Sequence, residues 1–205
     1  MITILRKIIK SDISAEFFDR VRRVKMFLVH YYYTKSVCII AKLKGVKLGV
    51  NMTFNGIVHF DRFKFSSIEI GNNCTFNSCY LFNQFIDNNC IVRTNRIGSK
   101  IKIGDSSGFS GVKIICDSLI QIGNNVVVGA NTTFRDGDDH EDITKTSPKP
   151  IVIEDNVFIG RNCSILKGVH IGRNTIIGAG SIVTKGIPAN CVAAGVPCKV
   201  IRRND

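Results

Sequence analysis

No two of the eight cysteines stand at CxxC spacing, no uncharged apolar run approaches about 18 residues, and no three histidines fall close together. Each absence excludes something. Scattered thiols argue against a disulfide or metal framework, and several take the small position of a repeat described below, so they read as reduced, buried residues of a cytoplasmic protein. The short apolar runs leave no membrane-spanning helix, and the N-terminus lacks the continuous core of a signal peptide. His30 and His59 lie far ahead of His140, and His170 sits inside the repeat, so three zinc ligands cannot be assembled and no metal is expected. Acids are scarce as well, 16 against 28 Lys and Arg, for a net charge of +12. Residues 1–47 hold most of that excess, with eleven basic residues against Asp12, Glu16 and Asp19, a net of +8. The charge is confined to this segment and no recognised binding motif accompanies it, so nucleic acid is not an expected partner.

What the chain does have is a period of six. Over Ile151–Pro188 an aliphatic residue recurs at Ile153, Ile159, Ile165, Ile171, Ile177 and Val183. Four residues after each stands Val157, Cys163, Val169, Thr175, Ser181 or Ile187, small or β-branched in every case. A helical period of 3.6 drifts out of phase with six, and a plain strand does not need Gly-x-Asn at one fixed offset. The pattern therefore predicts a six-residue strand-plus-corner unit, with Gly and Asn turning the chain because they tolerate positive φ. The phase extends backwards with slips through Leu48, Phe54 and Phe60, then Ile70, Phe76 and Phe82, then Ile91, Ile97, Ile103, Phe109 and Ile115, then Ile122, Val128 and Phe134. One clear interruption, Arg135–Pro150, carries acids, His140 and two prolines, and predicts a loop leaving the repeat, the kind of place where chemistry is usually found.

Residues 1–47 lack the hexad and form a separate basic segment ahead of the repeat region, 48–205. Phe17, Val21, Val24, Leu28 and Tyr31 at helical spacing predict a helix from about Ala15 to Tyr32, with Asp12 or Ser14 as candidate caps. Two roles fit it: covering the apolar interior and free strand edge of the first repeat unit, and lying on an anionic membrane surface at the inner face of the membrane.

The Ile151–Pro188 segment resembles the hexapeptide repeat, [Ile/Leu/Val]-Gly-x-x-small-x, of left-handed parallel β-helix acyltransferases. The resemblance implies a mainly β fold in which three hexads make one triangular coil, with about seven to eight coils in all. It also implies homotrimers with each site between two prisms. Asp136-x-Asp138-x-His140 resembles the Asp-x-Asp-x-His of sugar O-acetyltransferases in this superfamily. On that basis His140 is the expected catalytic base, Asp138 the carboxylate that orients it, and Asp136 a substrate-binding residue. Gly108-Phe109-Ser110-Gly111 resembles the coil position where relatives carry an Asn or Ser facing the acceptor; Ser110 would bind a sugar hydroxyl or oxyanion, or only fill a small corner. Asp117 reads as a surface residue. Ala179–Pro188 and Ala193–Arg202 match the family's terminal signature. In relatives the backbone near Ala179 and Thr184 meets the pantetheine arm, and basic residues matching Lys185, Lys199 and Arg202 approach the coenzyme A phosphates. The implied activity is acetyl-CoA-dependent O-acetylation of a saccharide. N-acetylation of a nucleotide-linked amino sugar and a non-catalytic hexapeptide scaffold are the alternatives.

Overall fold

The computed structural model describes residues 2–138 and 146–203, with side chains from Asp12 onward apart from Ile13. Short strands alternate with corners where Asn51, Asn73, Asn125, Asn156, Asn174 and Asn190 take φ of 55–59°. A left-handed backbone costs most residues roughly 1–2 kcal/mol, whereas Asn recovers part of it by local hydrogen bonding. Here the recovery passes from coil to coil. Asn125 donates to Asn156 at 3.2 Å, Asn156 to Asn174 at 3.2 Å, and Asn174 to Asn190 at 2.9 Å.

The corners divide the chain among three sheets visited in rotation. Side A holds Lys47–Leu48, Ser67–Ile70, Lys100–Ile103, Leu119–Ile122, Ile151–Ile153 and His170–Ile171. Side B holds Thr53–Asn55, Thr75–Asn77, Gly108–Ser110, Val127–Val128, Phe158–Ile159, Ile176–Ile177 and Cys191–Ala194. Side C holds Val58–Asp61, Cys90–Thr94, Lys113–Cys116, Thr133–Arg135, Ser164–Leu166 and Ile182–Val183. All of these strands pair in parallel, giving six complete coils. A seventh begins with the Ile171–Ile187 bridge and Cys191–Ala194, against which Lys199–Arg203 folds back antiparallel.

Six coils are fewer than a single interruption implies, because a second excursion, residues 78–89, leaves the prism between Thr75–Asn77 and Cys90–Thr94. Phe82 belongs to that excursion and not to the core. Phe54, Phe76 and Phe109 do stack along side B, at centroid distances of 5.6 and 4.8 Å, with Phe60 edge-on to Phe54. Three further inward assignments fail by register. Cys90, Val92, Ile114 and Cys116 point inward, Ile91 and Ile115 point outward beside them, and Ile97 is exposed on a turn. One residue of slip exchanges the faces of a strand. The turn at residues 95–99 breaks the six-residue count between Ile91 and Ile103, and a step of five residues from Phe109 to Ile114 breaks it again at Ile115.

The predicted helix is longer than its apolar spacing suggests, running Ile2–Leu43. It ends in a Schellman-type cap, with Gly45 at φ 71°, Gly45 N donating to Lys42 O and Val46 N to Ala41 O. Its C-terminal part closes the prism: Val37 and Ala41 are buried in the core, and the Thr34 hydroxyl both accepts from Phe54 N at 3.0 Å and donates to Phe54 O at 3.3 Å. Thr34 thereby serves the open edge of side B where a preceding strand would.

Candidate active site

Two corners of the prism carry the polar chemistry. At the C–A corner the Arg135–Pro150 loop departs, and buried carboxylates build its root. Asp136 is 0% exposed, and its carboxylate accepts from the backbone amides of Asp117 at 2.6 Å, Ser118 at 2.8 Å and Leu119 at 2.9 Å. Burial and that neighbouring carboxylate push the Cys116 thiol far above its ordinary range. Asp136, expected to meet substrate, is instead the post that fixes the turn of the previous coil.

Asp117, expected on the surface, is 7% exposed and ligated by charge: Arg135 Nη1 at 2.8 Å, Asn95 Nδ2 at 2.9 Å and Arg96 Nε at 3.7 Å. Gly137 is needed beside it, since a Cβ there would lie 2.3 Å from Asp117 Oδ2. Asp138 follows, its carboxylate held by Lys167 and by the hydroxyl of Thr146, which itself receives Lys167 Nζ at 2.6 Å. The returning strand is tied in by Lys149 N to Asp136 O at 2.8 Å and Gly168 N to Lys149 O at 3.1 Å. Both stems of the loop are thus fixed to the prism, and the intervening residues 139–145, His140 among them, lie outside the described residues.

The B–C corner is built differently. Asn55 donates to Asn77 at 2.8 Å and Asn77 to Ser110 Oγ at 3.3 Å, while His30 Nδ1 lies 3.0 Å from Asn55 Oδ1, so a polar ladder climbs from the helix through three coils. Ser110 is 8% exposed beneath residues 78–89, which places its hydroxyl in this ladder and not on an open surface. Asn131 holds that excursion down, accepting from Asp87 N and donating to Phe85 O and Asp87 Oδ2, while the Arg161 guanidinium sits 4.6 Å from the Phe85 ring centroid. Sequence reading missed this excursion because Phe82 continues the hexad phase of Ile70 and Phe76. Between it and the helix lies a cavity of about 330 Å³ lined by Tyr33, Ser78, Tyr80, Asp87, Asn88 and Asn89.

The five residues expected at coenzyme A do not gather in one place. Ala179 is exposed at the B–C corner, where small residues let successive coils stack closely: a Cβ on Gly160 would lie 2.5 Å from Ala179 N, and one on Gly178 2.7 Å from Ala194 Cβ. Lys199 pairs with Ala194 at that corner, and Arg202 pairs with Val192 further along the same exposed strand. An exposed corner of small residues, with Lys199 beside it, can accept a long polar arm ending in phosphates. Thr184 and Lys185, also exposed, follow Ile182–Val183 at the other end of side C, on the corner that carries the His140 loop. About six residues of strand separate the two corners, on the order of 15–20 Å.

Comparison with known proteins agrees with this architecture. Residues 150–185 match the profile of the hexapeptide repeat of succinyl-transferase. Over 112 residues the chain is 46% identical to the galactoside O-acetyltransferase of Escherichia coli K12, a match covering 51% of this chain and 55% of that protein, so it spans little more than half of that relative. Among solved structures, a galactoside acetyltransferase in complex with coenzyme A superposes with a TM-score of 0.53 at 27% identity, covering 91% of this chain and 82% of that one. The galactoside O-acetyltransferase of Lactococcus lactis is 38% identical over 159 residues, 72% of this chain and 75% of that protein, and on this match the chain belongs to the hexapeptide-repeat acetyltransferase family.

Proposed function

We propose that this protein transfers an acetyl group from acetyl-CoA to a hydroxyl of a saccharide, with His140 as general base, in a site completed by two chains of a homotrimer. The observation that carries the reading is the separation of the polar groups. The stems of the Arg135–Pro150 loop, Thr184 and Lys185 occupy one corner of the prism, while the small residues around the exposed Ala179, with Lys199, occupy the other. One chain cannot bring these halves together across side C, but a neighbour turned about a threefold axis can set its B–C corner against the C–A corner of the first. The similarity to galactoside O-acetyltransferases, one of them solved with coenzyme A, supports the donor and the class of acceptor. The free cysteines support a reducing, cytoplasmic setting.

In the reaction, neutral imidazole takes the proton of the attacking hydroxyl as its oxygen adds to the thioester carbonyl; the adduct then breaks its C–S bond, and the imidazolium returns the proton to the departing thiolate of coenzyme A. Stems fixed to the prism on both sides suit the preorganisation that general-base catalysis needs. Asp138, whose carboxylate meets Lys167 and Thr146, anchors the stem and is the carboxylate that orients the ring. Tyr33, Tyr80, Asp87 and Asn88 give the cavity beneath residues 78–89 the apolar faces and hydrogen-bonding groups that a sugar ring requires.

Acetyl transfer from acetyl-CoA to a panel of saccharides, bearing free hydroxyls or free amines, tests the proposal. His140→Ala should lower kcat/KM by about 10²- to 10⁴-fold and leave acetyl-CoA binding nearly intact. Wild-type kcat/KM should decline as pH falls through the imidazole pKa, about 6.5 unperturbed, because only the neutral ring accepts a proton; that limb should vanish in the variant. Activity confined to amine acceptors would replace O- by N-acetylation. A variant keeping more than about a tenth of wild-type kcat/KM would remove His140 as the base.

A further inference from the structure

The helix Ile2–Leu43 uses only its C-terminal part to close the prism. Thr34, Val37 and Ala41, with His30 one turn earlier, define the face that meets the first coil. A second face carries Phe17, Val21, Val24, Leu28 and Tyr31, which are 47–62% exposed. At 3.6 residues per turn this stripe lies roughly 130° round the axis from the packed face, so the prism that the helix caps cannot cover it. Phe18, Phe27 and Tyr32 widen it on either side and are exposed as well.

An uncovered apolar stripe calls for an occupant, and charge selects it. The 4-3-4-3 spacing is also that of a coiled-coil seam, but it lasts only about two heptads, and a parallel second copy would set Arg20 against Lys25 of its neighbour. Like charges at those flanking positions oppose self-association. They suit a negatively charged surface, towards which the long arms of Arg20 and Lys25 can reach from the margins of the stripe. Arg20 pairs with Glu16 and Arg23 with Asp19, each at 2.8 Å, yet residues 1–47 still hold a net charge of +8. No described helix is long and apolar enough to cross a membrane. We infer that the Phe17–Tyr32 part of the helix lies on an anionic lipid bilayer, with Phe17, Val21, Val24, Leu28 and Tyr31 sunk among the headgroups and acyl boundary and the basic side chains on lipid phosphates. This does not rest on the acetyl-transfer reading, because its test reads binding alone.

The test is co-sedimentation of the full chain with vesicles of phosphatidylcholine containing phosphatidylglycerol, and with phosphatidylcholine alone, at low and physiological salt. Binding is expected only to the anionic vesicles, weakening as salt rises. Val24→Glu/Leu28→Glu should reduce it at least tenfold, as should Arg22→Glu/Lys25→Glu, since each cation near such a surface contributes about fivefold. Absence of binding to anionic vesicles, or equal binding to neutral ones, would overturn the inference. So would a fall in oligomer mass of Val24→Glu/Leu28→Glu without vesicles, which would make the stripe an interface between copies. Should either double variant fail to fold, the lipid and salt dependence of the wild-type chain decides alone.

Discussion

Asp136 and Asp138 show how two carboxylates in one motif receive different tasks. Asp136 directs its oxygens at three backbone amides and is sealed from water, and Asp138 stands at the margin against a lysine and a hydroxyl. Nothing in the spacing of the motif distinguishes them, because outside a strand the offset of two residues does not fix which side chain turns inward. Removing Asp136 leaves buried donors unpaired, and hydrogen bonds to a charged acceptor contribute about 1.5–3 kcal/mol each. Asp136→Ala should therefore cost about 3–5 kcal/mol in urea unfolding, and Asp136→Asn, which keeps one carbonyl oxygen, roughly 1–3 kcal/mol. A loss under about 1 kcal/mol for the alanine variant would show that the turn at Asp117 holds without it.

The elements divide by how far the six-residue count carries. From Ile122 to Val183 the inward residues fall where counting puts them, since the only interruption there, Arg135–Pro150, is visible from its acids and prolines. Earlier coils defeat the count. The excursion at 78–89 contains Leu81 and Phe82, which resemble wall residues, and its anchor, Asn131, lies more than forty residues away in the chain. The helix was legible from its apolar spacing, but its true length was not, because the spacing that marks it spans only Phe17–Tyr31. Asn131 gives the element-scale prediction. It combines φ of 61° with side-chain bonds to Phe85 and Asp87, and Asn131→Gly keeps the first property and deletes the second. Amide hydrogen exchange at residues 83–88 should accelerate by at least tenfold with the melting temperature shifted only a few degrees, and KM for a responsive saccharide should rise more than KM for acetyl-CoA. Unchanged exchange would show that Arg161 and the helix hold the excursion without Asn131.

At the scale of the whole molecule, the fold explains why the expected site residues do not meet. A β-helix repeats the same three corners in every coil, so residues at one corner stack along an edge and residues at another stay a full side away. Ala179 and Thr184 stand five residues apart in the terminal signature, but the strand Ile182–Val183 between them carries the chain from one edge of side C to the other. If activity arises between chains, two different inactive proteins should rescue one another. His140→Ala damages the loop edge, and Ala179→Trp should block the other edge by covering the exposed B–C corner with a large ring. Each variant alone should have little activity. When the two are co-refolded in equal amounts into random trimers, a site is intact only if its loop comes from an Ala179→Trp chain and its Ala179 corner from a neighbouring His140→Ala chain. Each condition is met half the time, so about a quarter of wild-type activity should return. The recovery should need refolding together and should not follow from mixing trimers already assembled. If both halves of the site belonged to one chain, no mixture could contain an intact site, and activity would stay at the level of the variants. That outcome, together with a monomeric mass in light scattering, would refute the divided site.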